Sequence, residues 1–473
     1  TPASLRTWVG VDSKQRNLAW FFSGEYSWMN RYFLAVDASM ETSNRFGKEA
    51  KGALHMAGVS WAFFPAVNAS WVFTSEEWMK NLTWLDYGRL RLGWELTGND
   101  NLPDYATESY FTSAGLLGNA FGLVLDNIGN DGLKWEQTST FRAGLDASLF
   151  HNRWSFTLDF FKSRTSNLLV RKQLNEIAGL DWYWTNGGSL DNTGVNFSTT
   201  VRALDLRDWK LDLGASIGHY RNRVHKLDDG SFITTIDGAQ VLTSEGNPLG
   251  VFYGYRTEGV FSTSAEAGAA NLAVRNANGT LTPFAAGDMR FADNGDGIID
   301  EADRTIIGDP NPDVYGNFNF RLQWKRFSLS SLFTYSVGND VYNALRANLE
   351  SGSEIHNQST ALMNRWVAEG QQTSIPRATY GDPMGNARFS DRWIEDGSYL
   401  KWKSIQLTYD IPIRSTFLQG VSVWVAVNNL CTWTKYLGPD PEFYSGLTPL
   451  SMGIDNGLTG ASREFNFGVK IHL

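Results

Sequence analysis

The sequence predicts an all-β chain, an antiparallel transmembrane β-barrel built from about fourteen to sixteen strands with long loops at one end. Three observations lead there: a side-chain period of two along most of the chain, a composition rich in aromatics and glycine, and an uneven spacing between strands. Of 473 residues, 14% are aromatic, with 19 Trp, 46 Gly and only 19% charged residues, a bias that suits strands, turns and polar-aromatic surfaces better than helical bundles. The net charge of −9 argues against nucleic acid, since a phosphate-binding face needs excess Lys and Arg.

The period is clearest in NRWSFTLDF, where Trp154, Phe156, Leu158 and Phe160 alternate with Arg153, Ser155, Thr157 and Asp159, placing apolar groups on one face and polar groups on the other. In GNFNFRLQWKRFSLSSLFTYSV, Phe318, Phe320, Leu322 and Trp324 share a face, a tight turn falls near Lys325 and Arg326, and a second strand carries Phe327, Leu329, Phe333, Tyr335 and Val337. KLDLGASIGHY, SIQLTYDI and VSVWVAVNN repeat the pattern. A soluble sandwich also alternates. The Arg, Gln, Asn, Asp and Thr opposite continuous apolar rows favour a wet lumen instead, with Trp and Tyr at strand ends as interfacial girdles.

Turns such as WKRF and HNRW alternate with long segments, notably Asp228 to Asp313 and Asn339 to Asp396, the arrangement of short periplasmic turns and long outside loops. No apolar run approaches the roughly 18 residues of a spanning helix, so any membrane crossing uses strands. The opening TPASLRTWVG reads like a protein interior, as expected of a fragment or matured product. The final EFNFGVKIHL puts Phe465, Phe467, Val469, Ile471 and Leu473 in one row, the pattern of a closing outer-membrane strand.

Motifs of chemistry are few. The single cysteine, Cys431, excludes an intrachain disulfide and a four-cysteine zinc site. The six histidines show no ligand-like spacing, GASIG around Ser216 lacks the strand-turn-helix context of a nucleophile elbow, and nothing picks out a carboxylate pair for glycoside hydrolysis. No enzyme activity is expected. FADNGDGIIDEAD resembles a calcium loop, with Asp293, Asn294, Asp296, Asp300 and Asp303 as oxygen donors around Gly297, although Ala292 occupies the first ligand position. A Ca²⁺-stiffened loop and a polar turn that satisfies its own backbone are both compatible with it. Trp182, Tyr183 and Trp184 in DWYWTNGG, placed in a loop, are the candidate substrate contacts, because aromatic faces stack on sugar C–H surfaces. Tyr253, Tyr255 and Arg256 are a weaker set.

Several segments together resemble the SusC/RagA-type TonB-dependent transporters of the Bacteroidetes outer membrane. FFPAVNASWVFTSEEWM, YGRLRLGWELTGNDNLPDY, LKWEQTSTFRAGLDASLF, NGGSLDNTGVNF, GNPLGVFYGYRTEGVF, DNGDGIIDEADRTIIGDPNPDVYGNFNF, DGSYLKWKSIQLTYDIP and VWVAVNNLCTWTKYLGPDPE follow in the family's order. The resemblance implies a barrel of about 22 strands around a plug, of which residues 1–473 are the C-terminal barrel part. The plug and N-terminal strands would come from another chain or from upstream sequence. It further implies an outer-membrane location, import of oligosaccharides or peptides, a SusD-like lid lipoprotein, TonB acting through the plug, and dimers of such pairs. The rival readings are a soluble calcium-dependent carbohydrate-binding β protein and a passive porin.

Overall fold

The computed structural model describes residues 13–47, 49–50, 54–116, 120–174, 179–180, 182–413, 419–444 and 448–472. The opening decapeptide, Asp181 and Leu473 lie outside the described residues. Among those described, fourteen strands belong to the main antiparallel sheet. We number them β1 (Asn17–Trp28), β2 (Tyr32–Ser43), β3 (Leu54–Met56), β4 (Val59–Trp71), β5 (Leu85–Asn99), β6 (Glu136–Leu149), β7 (Trp154–Ser166), β8 (Ser189–Asp205), β9 (Trp209–Lys226), β10 (Val314–Trp324), β11 (Phe327–Val337), β12 (Tyr399–Ile411), β13 (Gly420–Thr434) and β14 (Glu464–His472). The chain divides into two compact units. The first comprises residues 1–148, 159–193 and 224–229, and the second comprises 149–158, 194–223 and 230–473.

In the first unit, β1, β2, β4 and β5 pair in order. The register places Trp28 opposite Tyr32 and Tyr32 opposite Trp71, with Val36 opposite Val67 and Val67 opposite Trp94. Each of these rows is apolar because side chains alternate at period two and the register never slips across β1, β2 and β4. The row is exposed: Trp20, Phe22, Leu92 and Trp94 all face outward. At the short-turn end, Trp28, Tyr32 and Trp71 stack in sequence, with ring centroids 5.5 and 6.4 Å apart, forming an aromatic rim of the kind found where a bilayer meets water.

In the second unit, β9 to β14 pair in chain order through β10, β11, β12 and β13. The apolar rows continue from Leu213 to Phe320 and from Leu407 through Val425 to Phe467. Val425 is 58% exposed and Phe467 87%. Such strands cannot be the inner layers of a soluble core, so the soluble reading fails on the very faces that would have to pack. Trp209, Trp324, Phe327 and Tyr409 stack along the short-turn end, and Phe318, Phe333 and Trp402 form a second row further up the strands. Ser216 sits in mid-strand, which removes the helix turn a nucleophile elbow requires.

The second unit's short turn at Lys325–Arg326 contrasts with three long connections, between β9 and β10, β11 and β12, and β13 and β14. These connections are folded. Phe252, Tyr342, Phe389, Trp393 and Ile454 share a buried cluster drawn from all three. A second cluster joins Phe261, Phe284, Met289 and Phe291 from the first connection with Met384 from the second.

Candidate functional site

The candidate site is this long-loop end together with the polar face of the sheet. The loops are braced by a buried carboxylate. Asp288 is fully buried and accepts two hydrogen bonds from Arg377, of 2.8 and 3.0 Å, one from Asn386 Nδ2 at 3.0 Å and one from the Ala285 N–H at 2.9 Å. Four donors satisfy the charge that burial would otherwise penalise. The adjacent Gly287 has φ +87°, and a Cβ there would fall 2.4 Å from the Trp366 ring, so glycine is required for both conformation and space.

The third connection is held down by Lys401. This side chain, 2% exposed, reaches Asp440 at 2.6 Å and Glu442 at 3.0 Å, while Lys403 reaches Glu442 at 2.8 Å. Nearby, Asp340 stands directly opposite Asp396. Burial raises the Asp340 carboxyl above its ordinary range, and the charges of Asp309, Asp396 and Asp313 push in the same direction, against a backbone hydrogen bond from Asp309. Burial also pushes Arg392 down to about 10 and Tyr342 up to about 12.

The five residues of the calcium-loop pattern lie in one turn of the first connection. Asp293 accepts from the Gly295 and Gly297 N–H groups, Asn294 from Asp296 N–H, Asp296 from Ile298 N–H at 2.8 Å and Asp300 from Ala302 N–H at 2.8 Å. Asp303 closes the turn from the far side, accepting from Asn294 N–H at 2.8 Å and Asp300 N–H at 2.7 Å. Each of the five side chains thus accepts at least one backbone N–H, and among the described residues no three His, Cys, Asp or Glu side chains converge on one point. Ile299, 3% exposed, anchors the turn in the loop core.

Trp182, Tyr183 and Trp184 are in a strand, not the loop expected, paired with Leu169–Gln173 in a separate hairpin of the first unit. The reason is a hydrogen-bonding partner that precedes them by only a short connection. The Arg171 guanidinium stacks over both tryptophans, 4.1 Å from the Trp182 ring and 5.0 Å from Trp184. Trp184 also packs on the cluster of Phe46, Phe64 and Trp135. These two rings are therefore engaged within the protein, and Tyr183 points along the other row of the hairpin. Tyr255 is likewise a core residue, 8% exposed and covered by Arg388 at 4.8 Å; Tyr253 lies in the strand Val251–Gly254, paired with Thr305–Gly308.

The polar face carries ion pairs in each unit. In the first, Arg91 binds Asp146 through two hydrogen bonds of 2.8 and 3.0 Å and Asp159 through one of 2.8 Å, and Arg142 pairs with Glu95. In the second, Arg202 pairs with Asp212 at 3.4 Å, and amide and hydroxyl groups share the face with these charges, Asn317 donating to Ser216 Oγ at 2.7 Å and Gln406 to Thr408. Arg91 was not singled out from the sequence, because its partners Asp146 and Asp159 come from other strands. Asp288, Arg377 and Lys401 were not singled out at all; an Asp or Lys flanked by apolar residues, as in AAGDMRF and SYLKWKS, is the signal that could have found them.

A wall of strands with exposed apolar rows, aromatic rims and a hydrogen-bonded polar face defines the class: an outer-membrane β-barrel. Residues 2–430 match the family model described as TonB dependent receptor-like, beta-barrel, and the chain belongs to that family. TonB-dependent receptor P3 of Formosa agariphila is 31% identical over 467 residues, covering 94% of this chain and 44% of the relative. TonB-dependent receptor SusC of Bacteroides thetaiotaomicron is 27% identical over 461 residues, 94% of this chain and 43% of SusC. The RagAB peptide transporter structure superposes with a TM-score of 0.79 at 24% identity, over 97% of this chain and 47% of that one. The chain thus spans less than half the length of these relatives. It is a SusC/RagA-type receptor barrel of the outer membrane, a transporter family and not a class of enzyme.

Proposed function

We propose that this chain is the C-terminal barrel wall and outer platform of a TonB-dependent importer of oligosaccharides or peptides. A plug-bearing polypeptide completes the barrel, a SusD-like surface lipoprotein docks on the platform, and such pairs dimerise. The observation that supports this is the long-loop end of the second unit: three connections share a hydrophobic cluster and are tied by Asp288–Arg377 and Lys401–Asp440 into a folded platform on which a lid could dock. The similarity to SusC and to the RagAB structure supports the same reading.

In this mechanism the chain makes no bonds. Substrate held between lid and platform is released into the lumen when force through TonB displaces the plug, and the amide and hydroxyl groups of the second unit's lining offer it hydrogen bonds beside the Arg202–Asp212 pair. Tyr183 is the aromatic of its hairpin left to meet substrate, since Arg171 covers its neighbours. Calcium at the Asp293–Asp303 turn would stiffen the platform and take no part in transport.

The test is to purify the protein from outer membranes in mild detergent and identify what accompanies it by mass spectrometry. A plug-bearing polypeptide and a SusD-like lipoprotein are expected. Recovery of a barrel without either, conducting small solutes in planar bilayers without TonB, would replace this reading with the porin.

A further inference from the structure

Strand β9 carries a change of chemistry along a single row. Leu211, Leu213, Ala215 and Ile217 lie on the apolar face, paired with Leu322, Phe320, Phe318 and Gly316, and Leu213 and Ile217 are 42% and 46% exposed. The same row continues as His219, Arg221 and Arg223, all exposed. The opposite row fixes this orientation: Gly218 and Val224 are buried, and Tyr220 and Asn222 both donate to Asn311 Oδ1, at 3.2 and 2.6 Å. The basic groups therefore project from the lipid side of the wall.

Their height is fixed by the aromatic rows. Ala215 is level with Phe318, whose ring stacks on Phe333 and through it on Trp402. Arg221 stands six residues beyond Ala215, about 20 Å along the strand, and less along the membrane normal because barrel strands tilt by roughly 40°. Arg221 also stands twelve residues beyond Trp209 of the short-turn rim, about 40 Å along the strand and roughly 30 Å along the normal at that tilt, past an apolar band of about 25 Å, and long basic side chains reach along the wall to charged headgroups. His219 is fixed by a 2.6 Å hydrogen bond to the Asp313 carbonyl, while the Asp313 carboxylate turns toward Gly338. The Arg223 guanidinium lies beside Gly246. Among the described residues, neither Arg221 nor Arg223 has a carboxylate within ion-pair distance. In a chain of net charge −9, two arginines exposed without a counterion above a lipid-facing row call for an anion from outside.

On the lipid-facing rows of β10 to β12 no Lys or Arg follows the apolar residues: β11 runs Phe333, Tyr335, Val337 and β12 ends in Trp402 and Leu400. Past β13 and β14 the rows reach single basic residues, Lys435 after Trp433 and Arg463 after Phe465, and Arg463 donates to the Leu430 carbonyl at 2.8 Å. In the first unit, β7 makes the same change from Phe160 to Lys162 and Arg164, but there Arg164 is taken by Asp191 at 2.6 and 2.8 Å.

We propose that Arg221 and Arg223 bind the phosphate of a glycolipid headgroup in the outer leaflet, so that β9 carries a lipid-anchoring site on the outside of the barrel. The proposal goes beyond the import reading and needs only that the chain spans the outer membrane. Its test uses the intact transporter complex in nanodiscs of phosphatidylcholine doped with monophosphoryl lipid A or with its dephosphorylated form, with retained lipid read by native mass spectrometry. Wild type is expected to retain the phosphorylated form selectively. Arg221→Gln with Arg223→Gln should lower that retention roughly thirtyfold, at the usual contribution of a basic residue near an anionic membrane, and Arg221→Lys with Arg223→Lys should restore most of it. Heat-modifiable gel mobility controls for folding of each variant. Equal retention by the glutamine variant overturns the proposal, as does equal retention of dephosphorylated lipid A by wild type. A change in association state with lipid retention unaltered makes the stripe a protein contact and overturns it too.

Discussion

Arg377 grips the fully buried carboxylate of Asp288 through two parallel hydrogen bonds, and the pair joins the β9–β10 connection to the β11–β12 connection. The brace adds to two hydrophobic clusters that both connections share, one around Phe261 and Phe291 and one around Phe252 and Trp393.

Arg377→Ala is expected to leave Asp288 charged in a site that only Asn386 and one backbone N–H still serve, and to cost about 3 kcal/mol of local stability. Hydrogen exchange in the intact complex should show residues around 288 and around 377 losing protection together. Protection lost around 377 alone would mean the two connections move independently.

Asp340 supplies a pH dependence of defined sign. Its carboxyl is raised by burial and by Asp309, Asp396 and Asp313, so the folded platform binds a proton more readily than the unfolded chain. Platform stability therefore rises as pH falls from 7 through the raised value, and stops rising below the unfolded value of about 3.9. Asp340→Asn should stabilise the platform at pH 7 by about 0.2–1 kcal/mol, as expected on removing one of two like charges directly opposite, and abolish this part of the pH dependence. Protease resistance between pH 5 and 8 measures both.

The Asp-rich turn separates two roles. Asp303 caps two backbone N–H groups, and Asp303→Ala should loosen the turn by about 1–2 kcal/mol with or without metal. The calcium proposal demands something further: protection of Asp293–Asp303 that rises with added Ca²⁺, falls with chelator, and loses that response in Asp296→Ala. A wild-type turn whose protease sensitivity ignores chelator leaves only the backbone role.

The barrel wall was legible in the sequence because its determinant is local. A period of two fixes which side chains share a face, and the tight turn at Lys325–Arg326 fixes how two strands meet. The platform was legible only as length, since what folds it is non-local: Asp288 and Arg377 lie in different connections, as do Phe252 and Trp393. The aromatic triplet at 182–184 was placed in a loop for the same reason, and it lies in a strand. Three exposed-looking rings in sequence read as a binding loop, but Arg171 and the strand Leu169–Gln173 had already taken two of them. Composition could not have shown a cation stacked on its own chain.

Arg91 ties three strands of the first unit together on the polar face, two hydrogen bonds going to Asp146 on β6 and one to Asp159 on β7. Its side chain is 35% exposed, against 26% and 37% for its partners, so solvent screens the cluster and the worth of the pair is less than that of a buried bridge. Geometry adds to charge here: the planar guanidinium meets Asp146 in the paired-bond arrangement that an ammonium cannot reproduce. Arg91→Lys should keep the charge, lose the second Asp146 bond and lower stability by less than about 1 kcal/mol, whereas Arg91→Ala leaves two carboxylates facing each other and should cost about 2 kcal/mol. The measurement is the midpoint of heat-induced gel mobility shift at low and high salt. If charge dominates, high salt narrows the gap between wild type and Arg91→Ala and the lysine variant behaves as wild type; if the paired hydrogen bonds dominate, the lysine variant stays intermediate at both salt concentrations, which is the outcome the bidentate geometry predicts.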